Sequence, residues 1–420
     1  MKGDYDCQKN LDNKPVNFIS AFLFPKGGHE NPAQLKANKD KSFQGSIILG
    51  MGFTFDDNKP EETTPIAEMH RLIERDPHNQ ELIFPYIGGE EVNSSPSHSH
   101  HRYVINFGEM TEDEARKYPD LIAIIEEKVK PNRTRCDKKG AFVLRNPLPQ
   151  RWWQYADKRP ALVRAIESLD RVLVISRVSP HGALTFVSNK MVYSEQLTVF
   201  AIQNFSAFTI LQCQVHELWA RFFSGSALDI MRYAPTDCFE TFPFPLNWET
   251  NPELETIGKT YYEYRAQLMV QNNQGLTDTY NRFHDPDEDN PDILKLRQLH
   301  AEMDKAVLAA YSWDDINPTC EFLLDYEEEE SIEEGTRSRK KPYRYRWTED
   351  THDEVLTRLL ALNKERAQAE EMLGGEQAAG KKAGAKKTKQ KAASKSDKPQ
   401  AIISSKQLSL IPPDAEQLEL

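Results

Sequence analysis

His216-Glu-Leu-Trp-Ala-Arg221, followed by Arg232-Tyr-Ala-Pro-Thr-Asp-Cys-Phe-Glu-Thr-Phe-Pro-Phe-Pro245, is the stretch whose reading decides the fold. Its first part spaces apolar residues as a helix that buries Trp219. Its second part sets Phe239, Phe242 and Phe244 around Pro243 and Pro245. Proline fixes φ and removes a backbone N–H, so this exit is extended and is neither an ordinary helix nor a central strand. On physics alone it is a hydrophobic strap that closes a domain. The chain changes character there. After Pro245, helical spacing takes over at 252–272 and 291–312, with Leu296, Leu299, Met303, Val307 and Leu308 in register, and a last helix falls at about 349–371. The expected class is α+β: a mixed domain with several short strands over 1–250, a helical C-terminal domain over 251–373, and a Lys/Ala-rich tail over 374–420. That tail has too little apolar residue content to fold and is expected to be disordered.

Upstream, Val16 to Phe24 has the β-branched and aromatic density of a core strand, and a chain opening on such a strand reads as a piece of something longer. Ser42 to Phe53 reads as a strand and a glycine turn, 63–76 as a helix, and Glu81 to Ile87 as a short strand. Pro85 to Asn93 reads as a turn and Arg102 to Phe107 as a strand. Thr111-Glu-Asp-Glu opens a capped helix whose apolar residues run to Val129. Residues 150–170 read as helical. Two strands, Val172 to Val178 and Leu184 to Val192, flank Ser179-Pro-His-Gly182, and 196–223 holds a strand and the Trp219 helix.

The composition excludes several classes. No apolar run approaches the roughly 18 to 20 residues of a membrane span. The N-terminus has no basic region followed by an apolar stretch, which argues against a secretory signal. Five cysteines (Cys7, Cys136, Cys213, Cys238, Cys320) lie far apart without a CxxC, which argues against a zinc ribbon or a disulfide framework and points to a reducing cytoplasm. The net charge of -12 speaks against general polyanion binding. It is an average, however: residues 128–177 hold 13 Lys or Arg against 4 acids, a balance of +9, and the tail from 376 holds nine lysines against five acids. A phosphate backbone senses charge only within a Debye length of about 8 to 10 Å, so the local excess counts.

Candidate chemistry is thin. Leu49-Gly-Met-Gly-Phe53 offers a glycine pair of the kind that cradles S-adenosylmethionine, but no second half of such a fold follows. The Asn/Asp-Pro-Pro-aromatic turn that holds a flipped adenine is absent; Asn146-Pro-Leu-Pro149 lacks its paired prolines and its aromatic. Pro119-Asp120 with Glu126-Glu127-Lys128 mimics a nuclease signature but carries helical periodicity and reads as a solvated helix face. His98, His100 and His101 read as a polar loop rather than a metal site. Cys213 and His216 read as a packed core pair. No catalytic, cofactor-binding or metal-ligating residue is expected in this chain. The basic stretch remains: Lys128, Lys130, Arg133, Arg135, Lys138, Lys139, Arg145 and Arg151, with Trp152, suit phosphate contact and equally suit a solvated basic face.

Four blocks in order resemble the large adenine-specific DNA methyltransferases of the Eco57I and MmeI groups, which belong to restriction-modification and related phage-defence systems. They are Ser42 to Phe53; Pro85 to Asn93 with Arg102 to Phe107 and Val129-Lys-Pro-Asn-Arg133; Ser176-Arg-Val to Ser194 with His216 to Phe222 and the exit through Pro245; and Gly275 to His284 with Leu296-Arg-Gln-Leu-His300, Asp304 and Tyr311. The resemblance implies a target-recognition half that binds double-stranded DNA. It also implies a methyltransferase catalytic subunit as partner, encoded separately or lost by truncation, with S-adenosylmethionine bound on that partner. By position it implies base contacts from Arg177 and Lys190 to guanine and from Asn189 and Gln196 to adenine. Lys130, Arg133, Arg135 and Arg145 are then backbone clamps, beside Arg151 and Trp152. Two other readings stay open: a methyltransferase with a diverged site within residues 1–130, and a protein-interaction scaffold built on the helical C-terminus.

Overall fold

Two four-stranded sheets organise the chain, and a computed structural model describes residues 31–224, 230–324 and 343–384, together with 9–11, 14–16 and 19. In chain order the strands are β1 (Lys9–Leu11), β2 (Lys14–Val16), β3 (Ser42–Gln44), β4 (Thr54–Phe55), β5 (Ile83–Ile87), β6 (Arg102–Ile105) and β7 (Arg171–Ser176). They continue as β8 (Val178–Ser179), β9 (Leu184–Ser188), β10 (Val192–Tyr193), β11 (Leu197–Phe200), β12 (Met231–Arg232), β13 (Cys320–Leu324) and β14 (Tyr343–Trp347). The helices are α1 (Ile66–Arg75), α2 (Gly89–Ser94), α3 (Glu112–Ala115), α4 (Pro119–Lys128), α5 (Lys130–Arg133) and α6 (Pro160–Ile166). Then come α7 (Phe205–Gln212), α8 (Gln214–Phe223), α9 (Pro252–Asn272), α10 (Leu276–Phe283), α11 (Pro291–Ala310) and α12 (Glu349–Gly384).

The first sheet has the order β10-β5-β6-β4 and the second β3-β11-β7-β9. Only β10–β5 is parallel within them; β7 pairs antiparallel with both β11 and β9. The class is α+β, as the mixture of short strands and helices implied. A smaller core lies under the first sheet, with Phe53, Phe55, Leu72, Val104, Leu121 and Ile125. The larger core lies on the second sheet and runs from Ile87 through Trp219 and Phe242 to Leu296, Leu356 and Leu360. It therefore continues across residue 250: α9 to α12 complete the hydrophobic interior that β7, β9 and β11 begin.

Local chemistry explains the helix ends. Asn251 accepts from the backbone N–H groups of Glu253 and Leu254, Pro252 occupies the first turn, and Asn273 ends α9 in the left-handed region. Asn290 with Pro291 repeats this at α11. Thr111 and Glu114 form the expected capping box, but the helix it opens stops at once. Tyr118 precedes Pro119, and proline disfavours α geometry in the residue before it, so a second helix begins there. The expected turn at 85–93 contains the helix α2 instead. The helix expected over 150–170 shrinks to Pro160–Ile166, because Pro160 lacks an N–H and suits only a first turn. The strand expected at 16–24 falls almost entirely outside the described residues, as does the tail beyond Gly384; the first part of the tail expected to be disordered, 374–384, instead continues α12.

The strap behaves as one. Phe239, Phe242 and Phe244 are buried beside Trp219, whose indole N–H donates to Thr241 Oγ1 at 3.1 Å. Before the prolines the backbone makes a π-turn at Pro235–Phe239. Its carbonyls, deprived of a regular ladder, are met by side chains from far away. Asn38 Nδ2 donates to the carbonyls of Phe239 at 3.1 Å and Phe242 at 2.7 Å. Tyr311 donates to Pro243 and Arg366 to Phe244. Behind it, α9 crosses α7 at Gly258, where a Cβ would lie 2.0 Å from Thr209 Oγ1, so no other residue fits.

Candidate nucleic-acid interface

The basic stretch divides into a buried anchor and an exposed arm. Arg133, expected to clamp DNA, is 1% exposed. Its guanidinium donates to the carbonyls of Gln154 (2.5 Å), Ile48 (2.6 Å) and Leu49 (3.0 Å), and it lies 5.3 Å from the Phe53 ring. Burial pushes its pKa down to about 10. The Phe53 ring packs against it and three loop carbonyls take its donors, so it braces the smaller core and cannot reach a phosphate. Trp152 is also buried, edge-on to Trp153 at 5.7 Å, and offers no face for base stacking. Lys130 is half-buried over that indole at 4.6 Å and paired with Glu126 at 2.5 Å. Lys128 is likewise spent on the Thr63 carbonyl, at 2.6 Å.

The arm follows directly. Residues 135–143 form a small hairpin: Cys136 bridges Phe142, and Val143 N–H donates to the Arg135 carbonyl at 3.0 Å. Asp137 Oδ1 accepts from the N–H groups of Lys139 (2.8 Å) and Ala141 (3.0 Å), and Gly140 takes φ +80°, which closes the turn. Asp137 is thus engaged with its own turn. Arg135, Lys138, Lys139, Arg145 and Arg151 are exposed and, among the described residues, make no ion pair. Cationic side chains held out on a braced loop, with no carboxylate paired to them among the described residues, are what a phosphate backbone requires.

The expected base-reading residues do not form one group. Arg177 and Gln196 meet at one end of the second sheet, with Arg177 N–H donating to the Gln196 carbonyl at 2.8 Å. Gln196 Oε1 accepts from Gly89 N–H at 3.2 Å, which joins the second sheet to the start of α2. Asn189 and Lys190 lie past the C-terminal end of β9, at the opposite end of that sheet, where Asn189 N–H donates to the Asp170 carbonyl at 3.3 Å. The six-residue β7 separates the two ends by about 20 Å. Arg159 and Arg232, which sequence reasoning missed, stand beside Arg177. Arg232 sits opposite Val178 in the β12–β8 pair, and Tyr233 N–H donates to the Arg177 carbonyl at 2.8 Å. The signal for Arg232 lay in the strap stretch itself, where it was read only for packing.

C-terminal elements hold the loop between β8 and β9. Pro180's carbonyl accepts from Arg221 at 2.6 Å and from Arg344 at 2.9 Å. His181 Nε2 donates to Asn281 Oδ1 at 2.9 Å, and the ring stacks on His284, with ring centroids 5.3 Å apart. Burial, aided by Arg344, depresses the His181 pKa to about 4, so the ring is neutral in the fold.

The remaining clusters carry little chemistry. His98 Nδ1 bonds the Val92 carbonyl at 2.9 Å, while His101 faces Glu91 at 3.5 Å, so the three histidines do not converge. Cys213 and His216 are both buried, and His216 Nε2 bonds the Tyr233 hydroxyl at 3.0 Å. The carboxylates of the nuclease-like segment lie on α4, with Asp120 paired to Arg75 and Glu126 to Lys130. Gly52 of the glycine turn packs against α4, where a Cβ would lie 2.5 Å from that of Lys128. Among the described residues, Glu349, His352 and Asp353 stand close enough to share a cation, but Glu349 is spent on Arg346 at 2.8 Å.

Comparison with known proteins agrees with this geometry. A family model described as MmeI, target recognition domain, matches residues 63–246. No curated protein matches. Among solved structures, 17 chains match, including the Type IIL restriction-modification enzyme MmeI in complex with DNA. That likeness has a TM-score of 0.53 at 16% identity and covers 84% of this chain. The chain spans 39% of the length of that enzyme. Among the described residues no helix is long and apolar enough to cross a membrane. Residues 63–246 of this chain are thus similar to the target recognition domain of MmeI.

Proposed function

We propose that this chain supplies DNA target recognition to a restriction-modification enzyme and works with a separately encoded catalytic subunit that methylates adenine N6. The observation that carries this reading is the coincidence of the matched domain, residues 63–246, with an unneutralised basic arm inside it at 134–151. The solved relative of the same fold is described as a DNA complex of a restriction-modification enzyme. In this reading Arg135, Lys138, Lys139, Arg145 and Arg151 track the phosphate backbone, and Arg177 with Gln196 faces the duplex from the end of the second sheet. The partner binds S-adenosylmethionine and holds the flipped base, and the pair acts in the cytoplasm as a defence against foreign DNA. The C-terminal helices serve recognition by fixing the Pro180–His181 loop.

The decisive experiment is transfer of labelled methyl groups to DNA by a candidate catalytic subunit with and without this chain. Sequence-dependent methylation that requires the chain supports the reading. Methylation by the isolated chain would overturn the division of labour and favour a diverged site of its own. Equal methylation without the chain would leave it no recognition role.

A further inference from the structure

Resting on the DNA-recognition reading, we propose that Arg159, Arg177 and Arg232 form a notch that grips one backbone phosphodiester of the duplex, so that Arg177 sets register rather than reads a base. A chain of hydrogen bonds assembles the notch. Arg159 Nη2 donates to Gln44 Oε1 at 2.9 Å, and Gln44 Nε2 donates to the Glu195 carbonyl at 3.2 Å. That same carbonyl accepts from Arg177 Nη1 at 3.1 Å. The β12–β8 pairing sets Arg232 beside Arg177 from the other side.

Arg159 is held with φ at +51°, a conformation L residues seldom adopt, by Asp157 on its N–H (3.1 Å) and on its guanidinium (2.9 Å), with Gly45's carbonyl on Nε. Asp157 neutralises Arg159, and Glu195 turns its carboxylate to Ser194 Oγ at 3.3 Å. Arg177 Nε is buried without a hydrogen-bond partner, and Arg232 is exposed with no ion pair among the described residues. Burial, then the charges of Arg232 and Arg159, depress the Arg177 pKa against the opposing charge of Glu195, as expected of crowded cations. A base edge asks for one planar fork aimed into a groove. Arginines brought side by side from the start of α6, the link between β7 and β8, and β12, with their backbones fixed, suit the tetrahedral oxygens of a phosphate.

The test is titration of the full chain with labelled mixed-sequence duplexes across about 50 to 200 mM KCl. Wild type is compared with Arg232→Gln, Arg177→Gln and the hairpin pair Lys138→Gln/Lys139→Gln. Arg232 is exposed on a two-residue strand, so its variant keeps the wild-type melting temperature. The expected result is a loss of about tenfold in affinity for Arg232→Gln, equal on unrelated sequences, with the log–log salt slope reduced by about 1. Arg177→Gln should behave alike. A changed preference between sequences with an unchanged slope makes Arg177 a base reader and overturns the notch. Binding untouched by Arg232→Gln but weakened in the hairpin pair overturns the notch and leaves DNA recognition standing. Salt-independent binding by wild type overturns both. Saturable binding of inorganic phosphate that Arg232→Gln abolishes, with duplex binding unchanged, assigns the notch to a free anion and overturns the proposal.

Discussion

Asn363 on α12 donates from Nδ2 to the carbonyl of Thr241 at 2.6 Å, a bond that fastens the end of the chain's described fold to the strap 122 residues earlier. The same amide donates to the Ala33 carbonyl at 2.8 Å and accepts from the Ala33 N–H at 2.9 Å. One buried side chain therefore closes the N-terminal segment, the strap and the last helix together. Replacing it with Leu keeps the volume and orphans two carbonyls and one N–H. The expected cost is about 2 to 4 kcal/mol, from unpaired buried groups at roughly 1 to 3 kcal/mol each with partial relief by water. Urea unfolding of Asn363→Leu checks this, and a loss under 0.5 kcal/mol would show that α12 is not part of the folded unit.

Arg133 offers a test that separates bracing from clamping. Arg133→Met removes a buried guanidinium and leaves the carbonyls of Gln154, Ile48 and Leu49 without a donor. The expected loss is about 3 kcal/mol of stability. The salt slope of DNA binding, measured on protein that remains folded, should not change. A slope lowered by about 1 with intact stability would restore Arg133 as a phosphate contact.

What the sequence disclosed depended on how local the physics was. Prolines and 3.6-residue spacing act within a few positions, so α9, α11 and the strap were legible from the helical spacing of 252–272 and 291–312 and from the Phe/Pro run. The fate of each arginine was not. Arg133 and Arg135 are two residues apart, yet the first is buried and the second exposed, because burial is decided by carbonyls of residues 48, 49 and 154. Arg159 and Arg232 join Arg177 through a glutamine on β3 and a strand pairing over more than 50 positions. No local signal encodes either. The four blocks of resemblance located the recognition domain but could not divide its cations into braces and contacts.

The hairpin should behave as an arm without structural duty. Lys138 and Lys139 are exposed at its turn, which Asp137 and Gly140 close through the backbone. The double change to Gln should leave stability within about 0.5 kcal/mol. DNA affinity should fall equally for all sequences, with the salt slope lowered by up to about 2. Loss of preference for one sequence over another, at constant slope, would place the hairpin in a groove instead.

The buried histidines predict acid sensitivity with a defined sign. His181 falls to about 4 and His216 to about 3 through burial, from an ordinary value near 6.5. The unfolded chain therefore binds more protons than the native one below about 6.5, and stability declines as pH falls through that value toward 4. Glu217 is depressed to about 2 by Arg221 and Arg344 against the cost of its own burial, so its contribution is lost only below about 4.5. His300 has the opposite sign: burial is outweighed by Asp304, its pKa rises, and its contribution fades as pH climbs. His181→Gln keeps a donor or acceptor for Asn281 and removes the titration. Between pH 7 and 5 the variant should lose less stability than wild type, by about 1 to 2 kcal/mol, one pKa unit being worth about 1.4 kcal/mol. Parallel stability–pH curves for the two proteins, read by urea unfolding, would show that His181 is protonated as readily in the fold as in the unfolded chain.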